Sequence, residues 1–452
     1  MSRTVAAIAT ASGQSALGVI RISGEKAIEI ADKVFFPFSG KKLCDLNGYT
    51  AAYGQVKDGD TVLDDGVALV FKAPHSYTGE DTVEISLHGG SIILRETLRL
   101  ILSLGAFSAE PGEFTKRAFL NGKTDLTRAE SIMGLISAES EAQLRLSRAA
   151  HLGKTAEKID RIISDLTKAD AAISVFSDYP DEDIEGLDRE SFSAMLKNAE
   201  NDLLVMLKEY DAGKILREGV ETVIVGKPNV GKSSLMNMLS GADRSIVTDI
   251  AGTTRDVIED TVKVGDIILR LADTAGIRET GDKIESIGVD LARKRIETAQ
   301  LILAVFDCSQ EPDADDLRLI NELKSKNTLI IINKTDLEGR LNREIFKGFS
   351  VVEISAKENI GKEELTAEIT EICGVSALSP DSAVLINERQ RDCAQKALES
   401  VTEAGDAIAT GQTLDAVGIC VDDALSALFE LTGKRVTNEV ADEIFRSFCV
   451  GK

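Results

Sequence analysis

The sequence predicts an α/β nucleotide-binding domain inserted into an all-α helical domain, with an α+β domain ahead of both. Three observations predict it. A stretch fitting the phosphate-cradling pattern G-x-x-x-x-G-K-[ST] lies mid-chain, at 226–234. Apolar runs that end in polar turn motifs surround it and continue to about residue 374, which is the pattern of buried strands joined by functional loops. Helical apolar spacing flanks this region on both sides.

The elements follow in order. Alternating and apolar runs at 5–9, 19–22, 66–71 and 82–87 read as strands, with Gly and other turn residues between them. Residues 92–104 carry Ile92, Ile93, Leu98, Ile101 and Leu102 at helical spacing. From about 124 the pattern is helical: Leu126, Ile132, Leu135 and Ile136 share one stripe, and Ile159, Ile162, Ile163 and Leu166 share another. Pro180 and its acidic neighbours break that pattern. After Ser379 and Pro380, residues 385–411, 414–432 and 440–448 are helical again. A piece of about 70 residues rarely builds a core alone. It is therefore expected to pack with the helices before the nucleotide-binding region, which makes that region an insertion. The expected boundaries are 1–118, 119–216, 217–377 and 378–452.

Composition narrows the class. The 452 residues are 43% hydrophobic and 28% charged, as in a globular protein of roughly three domains at about 150 residues each. No run approaches the roughly 20 apolar residues of a membrane span, and the first residues lack a long apolar leader. The expectation is a cytoplasmic protein with no membrane contact. The six cysteines form no C-x-x-C pair and there are only three histidines, so no zinc pattern is visible. Five of the six, all but Cys449, are expected to be buried small hydrophobes. A net charge of −23 argues against a broad nucleic-acid footprint.

The motifs carry the chemistry. After the apolar residues Val223, Ile224 and Val225, the loop Gly226-Lys227-Pro228-Asn229-Val230-Gly231-Lys232-Ser233-Ser234 can aim its amides at phosphates, at the start of a helix whose dipole attracts anions. Lys232 is expected on the outer phosphates and the Ser233 hydroxyl on Mg2+. Asp273-Thr274-Ala275-Gly276 follows the apolar run 267–271. Asp273 can hold magnesium, often through water, and the Gly276 amide can sense the terminal phosphate. Asn333-Lys334-Thr335-Asp336 follows the run 329–332. The Asp336 carboxylate can accept from the ring N–H and exocyclic amine of guanine; adenine offers no such pair, so the motif selects GTP. Ser355-Ala356-Lys357 is expected to close the base pocket. The inserted domain thus reads as an α/β P-loop GTPase domain.

Outside these motifs the chain resembles the MnmE (TrmE) family of tRNA-modification GTPases over essentially its whole length. The segments that carry the resemblance are Gly18-Val19-Ile20-Arg21-Ile22-Ser23-Gly24, Ser76-Tyr77-Thr78-Gly79-Glu80-Asp81, His88-Gly89-Gly90, Pro111-Gly112-Glu113-Phe114-Thr115, 117–123 and the tail Phe448-Cys449-Val450-Gly451-Lys452. The stretch 11–16 departs from the family's proline- and glycine-rich pattern. The resemblance implies an N-terminal tetrahydrofolate-binding-like domain that dimerises. It also implies a potassium-dependent GTPase domain, and a partnership with the flavoprotein MnmG in a heterotetramer, with FAD supplied through that partner. The reaction it implies adds an aminomethyl or carboxymethylaminomethyl group to the wobble uridine of certain tRNAs. The one-carbon donor it implies is 5-formyl- or methylene-tetrahydrofolate.

Site residues follow by the same resemblance. Ile277 stands where Ras-like GTPases place a water-orienting glutamine, so charge and aim must come from elsewhere. Asn229, with Thr248, Ile250 and Thr253, matches ligands of K+. These last three lie in the GTP-facing loop Thr248-Asp249-Ile250-Ala251-Gly252-Thr253-Thr254, where Thr254 matches the switch threonine on Mg2+. Glu285 matches the glutamate that orients or activates water, though by residue type alone it reads as an exposed helix carboxylate. Arg21, Glu84, Lys123 and Lys452 match folate-binding positions. On their own, Arg21 and Glu84 read equally as a structural ion pair. Cys449 matches a reactive thiol of the modification, as nucleophile or redox group. The competing reading is a ribosome-assembly GTPase that uses its nucleotide state to dock RNA. Such proteins carry an RNA-binding module or a second GTPase domain; this chain has one phosphate loop and a strongly acidic balance.

Overall fold

The computed structural model describes residues 3–11, 13–178, 189–240, 260–271, 296–375 and 382–452. In chain order the elements are β1 (Val5–Ile8), β2 (Leu17–Ser23), α1 (Ala27–Val34), β3 (Phe35–Pro37), β4 (Thr50–Asp58), β5 (Thr61–Phe71), β6 (Thr82–His88), α2 (Ser91–Ser103), β7 (Phe107–Ser108) and α3 (Glu113–Leu120). Then come α4 (Leu126–Ser137), α5 (Glu141–His151), α6 (Lys154–Asp178), α7 (Arg189–Glu218), β8 (Val220–Val225), α8 (Lys232–Ser240), β9 (Asp260–Val264), β10 (Ile267–Leu271) and β11 (Leu301–Asp307). The rest are α9 (Ala314–Leu323), β12 (Thr328–Asn333), β13 (Ser350–Glu353), α10 (Lys362–Ile372), α11 (Glu388–Ala409), α12 (Leu414–Thr432) and α13 (Asn438–Arg446). By compactness the chain divides into two units. One comprises Met1–Met133, His151–Ala199 and Lys396–Lys452; the other comprises Gly134–Ala150 and Glu200–Gln395.

The first unit is built on a seven-stranded sheet ordered β3-β4-β5-β6-β2-β1-β7, antiparallel except where β1 meets β7. Period-two alternation decides its faces. Ile20 and Ile22 of β2, and Val83, Ile85 and Leu87 of β6, are buried with α1 and Leu94 and Ile101 of α2 in one apolar core. Arg21 and Glu84 fall on the opposite parity and face each other across the strand pair. Strand β4 was not apparent in the sequence because its Ala-Ala-Tyr-Gly-Gln run is weakly apolar; pairing along β5 defines it. The strand expected at 66–71 begins earlier, at Thr61, where it turns back on Asp58.

In the same unit the C-terminal helices pack with those before the insertion, as expected. Leu126 and Ala129 of α4 share a core with Ala441, Phe445 and Phe448. Helix α12 lies along α6, and Lys434 pairs with Asp160 at 2.7 Å. Lys116 also pairs with Asp442. Residues 449–452 then dock on the N-terminal sheet. The Gly112 amide donates to the Cys449 carbonyl and the Phe114 amide to the Lys452 carbonyl. Gly451 has φ +95°, and a Cβ there would sit 2.6 Å from the Ile8 carbonyl oxygen. Only glycine fits this close approach.

The second unit holds a six-stranded sheet ordered β13-β12-β11-β8-β10-β9, parallel except for β9 against β10. Strands β11 and β12 are buried along their whole length, which explains their continuous apolar runs. The helix expected from 385 begins at Glu388, because the Asn387 side chain accepts from the Gln390 amide as an N-cap.

One expectation is corrected. Cys308, Cys373 and Cys393 are buried, but Cys44 is exposed and Cys420 only half-buried. Cys44 lies on a short 3-10 turn, Leu43–Asp45, that buries Leu43 alone. Burial pushes the Cys373 thiol up to about 11. Among the described residues no helix is long and apolar enough to cross a membrane.

Gly451→Val is expected to release the tail. Hydrogen exchange should then show faster exchange of the Gly112 and Phe114 amides with little change at β2 and β6. Unchanged protection at both amides would refute the docking role.

Candidate functional site

The described motifs of the second unit, the phosphate loop, Asn333-Lys334-Thr335-Asp336 and Ser355-Ala356-Lys357, lie at the carboxyl ends of its parallel strands β8, β12 and β13, where open α/β sheets bind ligands. The phosphate loop leaves β8 and enters α8 at Lys232. Gly226 and Gly231 have φ of +144° and +102°, and Asn229 has φ +63°. A Cβ on Gly231 would overlap the Asn333 side-chain amide, and one on Gly226 would overlap the Val305 carbonyl. Both glycines therefore answer to neighbouring strands as well as to the turn. Lys232 Nζ donates to the carbonyls of Gly226 (2.6 Å) and Lys227 (2.7 Å). Burial holds its ammonium below the ordinary lysine value. Ser233, Ser234 and Asn229 are exposed.

Asn333 ends β12, and its side chain is consumed by the protein itself. Nδ2 donates to the Val230 carbonyl at 2.9 Å, and Oδ1 accepts from the Ala356 amide at 3.0 Å. It thereby ties the phosphate loop to the Ser355-Ala356-Lys357 loop. Lys334, at φ +66°, turns back so that its ammonium meets Asp307 at 2.5 Å. Burial alone would raise Asp307, but hydrogen bonds from Lys334 and Ser309 hold its carboxyl below the usual range. Asp336 is exposed, and its Oδ1 accepts from the buried Ser355 hydroxyl at 2.6 Å. That bond keeps the carboxyl ionised below its ordinary value and orients it. Lys357 is exposed beside Glu358. Asp307 and Ser309 escaped the sequence reading; the available signal was a carboxylate closing a fully buried strand.

Within the first unit, Arg21 and Glu84 meet at 2.7 Å, the Arg side chain only 15% exposed. The guanidinium lies 5.2 Å from the Tyr77 ring centroid and 5.4 Å from that of Phe114, and donates to the Gly451 carbonyl at 3.3 Å. So Arg21, Glu84 and the tail that bears Lys452 come together. Lys123 is exposed and donates to the Pro74 carbonyl at 3.0 Å; it packs near Gly79, on the loop that supplies Tyr77. Cys449 is exposed. In the sequence Tyr77 and Phe114 carry no signal beyond their motifs. Behind them Arg117 is nearly buried and pairs with Glu80 (2.8 Å) and Glu113 (2.7 Å), and Glu80 accepts from Ser23. That network fixes the loop and the start of α3 against β2. Among the described residues one set of metal-capable side chains, Asp64, Asp65 and His88, converges within 4.8 Å. Its imidazole is hydrogen-bonded to Asp64 at 2.8 Å, which holds His88 above its ordinary value.

Thr248, Asp249, Ile250, Ala251, Gly252, Thr253, Thr254, Asp273, Thr274, Ala275, Gly276 and Glu285 lie outside the described residues.

Two family models match. One, described as the GTP-binding protein TrmE N-terminus, covers residues 4–123; the other, the MnmE helical domain, covers 126–449. Curated relatives with the name tRNA modification GTPase MnmE include those of Alkaliphilus oremlandii (41% identical) and Clostridioides difficile (39%), each alignment covering 99% of both chains. Another, from Alkaliphilus metalliredigens, is 42% identical over the same share. Among solved structures, the FeoB G-domain of Methanococcus jannaschii is 25% identical, covering 34% of this chain and 97% of its own, with a TM-score of 0.26.

Asn333→Ala would strand the Val230 carbonyl and the Ala356 amide, at about 1–3 kcal/mol for each unsatisfied group. The expected result is GTP affinity at least about ten-fold weaker in a fluorescent-nucleotide titration. An affinity equal to the parent's would reject the coupling of the two loops.

Proposed function

Because the chain belongs to the tRNA modification GTPase MnmE family, we propose that it hydrolyses GTP and, with the flavoprotein MnmG, modifies the wobble uridine of certain tRNAs. The product carries a carboxymethylaminomethyl or aminomethyl group, and the carbon comes from 5-formyl- or methylene-tetrahydrofolate. The observation that carries this reading is the full-length match, joined to a guanine-type Asn333-Lys334-Thr335-Asp336 loop tied to a phosphate loop.

The residues fit these roles. Asp336, oriented by Ser355, accepts the two guanine donors. The amides of 229–234 and the Lys232 ammonium take the phosphates. Ser233, exposed at the first turn of α8, offers its hydroxyl to Mg2+, with Thr254 as second protein donor and Asp273 through water. Asn229, exposed and at positive φ, would offer a side-chain oxygen to K+, with Thr248, Ile250 and Thr253 completing the set. An ion held there would supply positive charge to the outer phosphates, the part an arginine finger plays elsewhere. Glu285 orients or activates the attacking water.

In the first unit, the Arg21 guanidinium lies near the Tyr77 and Phe114 rings and pairs with the Glu84 carboxylate, a setting that suits a flat pterin edge. Lys123 and Lys452 take the anionic glutamate tail. Cys449, two residues before Gly451, presents an exposed thiol, as nucleophile or redox group. The assembly is a homodimer that joins MnmG in a heterotetramer, with FAD entering through MnmG, and it works in the cytoplasm.

Mass spectrometry of tRNA nucleosides tests the reading. A deletion strain should lack the modified wobble uridine, the intact gene should restore it, and Lys232→Ala should not. Restoration by Lys232→Ala would remove the GTPase from the pathway. GTP turnover should also be many-fold faster in potassium than in sodium salts; equal rates would remove the cation from the mechanism.

A further inference from the structure

The phosphate-cradling pattern leaves position 227 unspecified. In the structure the Lys227 ammonium sits between two carboxylates, 2.5 Å from Asp313 Oδ2 and 2.6 Å from Asp316 Oδ2. These aspartates are the N-cap and third residue of α9, locked in a capping box. Asp313 accepts from the amides of Asp315 and Asp316, while Asp316 accepts from the Asp313 amide. The Asp316 side chain is 12% exposed and that of Lys227 25%, while that of Asp313 is 59% exposed and open to screening by salt. Partial burial works against the ammonium's charge, yet the hydrogen bonds to Asp313 and Asp316 hold Lys227 above the ordinary lysine value.

The same residue touches the phosphate machinery through its backbone. Its carbonyl accepts from Lys232 Nζ at 2.7 Å. Pro228 follows, and its Cδ crowds the backbone and Cβ of the residue before it, so residue 227 is not free to swivel independently of the loop. Two negative charges at the root of a loop that holds a polyanion oppose binding unless a cation cancels them. We infer that Lys227 is a positioning residue for the nucleotide: it pins the root of the phosphate loop to the capped end of α9 and cancels the charge of Asp313 and Asp316. This rests on the nucleotide reading of the loop given above.

The test uses the full-length protein and mant-GTP. Parent protein that fails to bind mant-GTP overturns the GTPase reading itself, whereas the next comparisons bear on Lys227 alone. Lys227→Met is expected to weaken binding about ten-fold at low salt, with the gap narrowing as ionic strength rises. It should raise KM far more than it lowers kcat, and Lys227→Arg should regain affinity within about two-fold of the parent. An affinity for Lys227→Met equal to the parent's, or a loss that Lys227→Arg fails to regain, overturns the inference. Should Lys227→Met not fold, Lys227→Gln decides: it keeps a polar side chain but removes the charge that cancels Asp313 and Asp316, and an affinity equal to the parent's there also overturns the inference.

Discussion

The nucleotide site depends on one carboxamide. Asn333 is 2% exposed, and each half of its side chain is bonded to a different loop, the phosphate loop through Val230 and the base loop through Ala356. Its amide also occupies the space that a Cβ on Gly231 would need. The separation of the two loops is therefore set by this group. An apolar residue of similar size would leave two buried backbone groups unsatisfied, and an ionised one would bring an unpaired charge into the sheet end.

A comparable constraint organises the first unit. Strand parity places Arg21 and Glu84 on the face opposite the apolar core. A guanidinium there needs cover, and it receives it from Tyr77, Phe114 and the Gly451 carbonyl. Each cover group comes from a different part of the chain. The buried Arg117, paired with Glu80 and Glu113, holds two of those parts together. The ion-pair reading of Arg21 and Glu84 and the ligand-binding reading are thus compatible. A paired, aromatic-flanked guanidinium is rigid, and rigidity lowers the entropy lost when a ligand is held.

Legibility in the sequence followed how local the cause was. The phosphate loop, the runs that became β11 and β12, and helix α12 were plain because their patterns are set by burial on every side or by a fixed helical period. Strand β4 was hidden, since pairing with β5 rather than its own residues makes it a strand. Cys44 was misjudged because cysteine is most often buried, while here the turn has room for Leu43 only. Asp307, Tyr77 and Phe114 were missed as site residues because each acts on a partner far away in sequence.

The order and type of the motifs was determined by the sequence alone: a loop of glycines before a lysine and a serine, a carboxylate suited to guanine, and a glycine near the end of the tail. Those features follow from bonding capacity and backbone freedom, which belong to single residues. The tertiary structure decided what each motif is held by. Asn333 grips two loops, Lys227 meets the capped end of α9, and Gly451 lies against Ile8. These pairings join residues dozens to hundreds of positions apart, and only the packing of sheets and helices sets such distances.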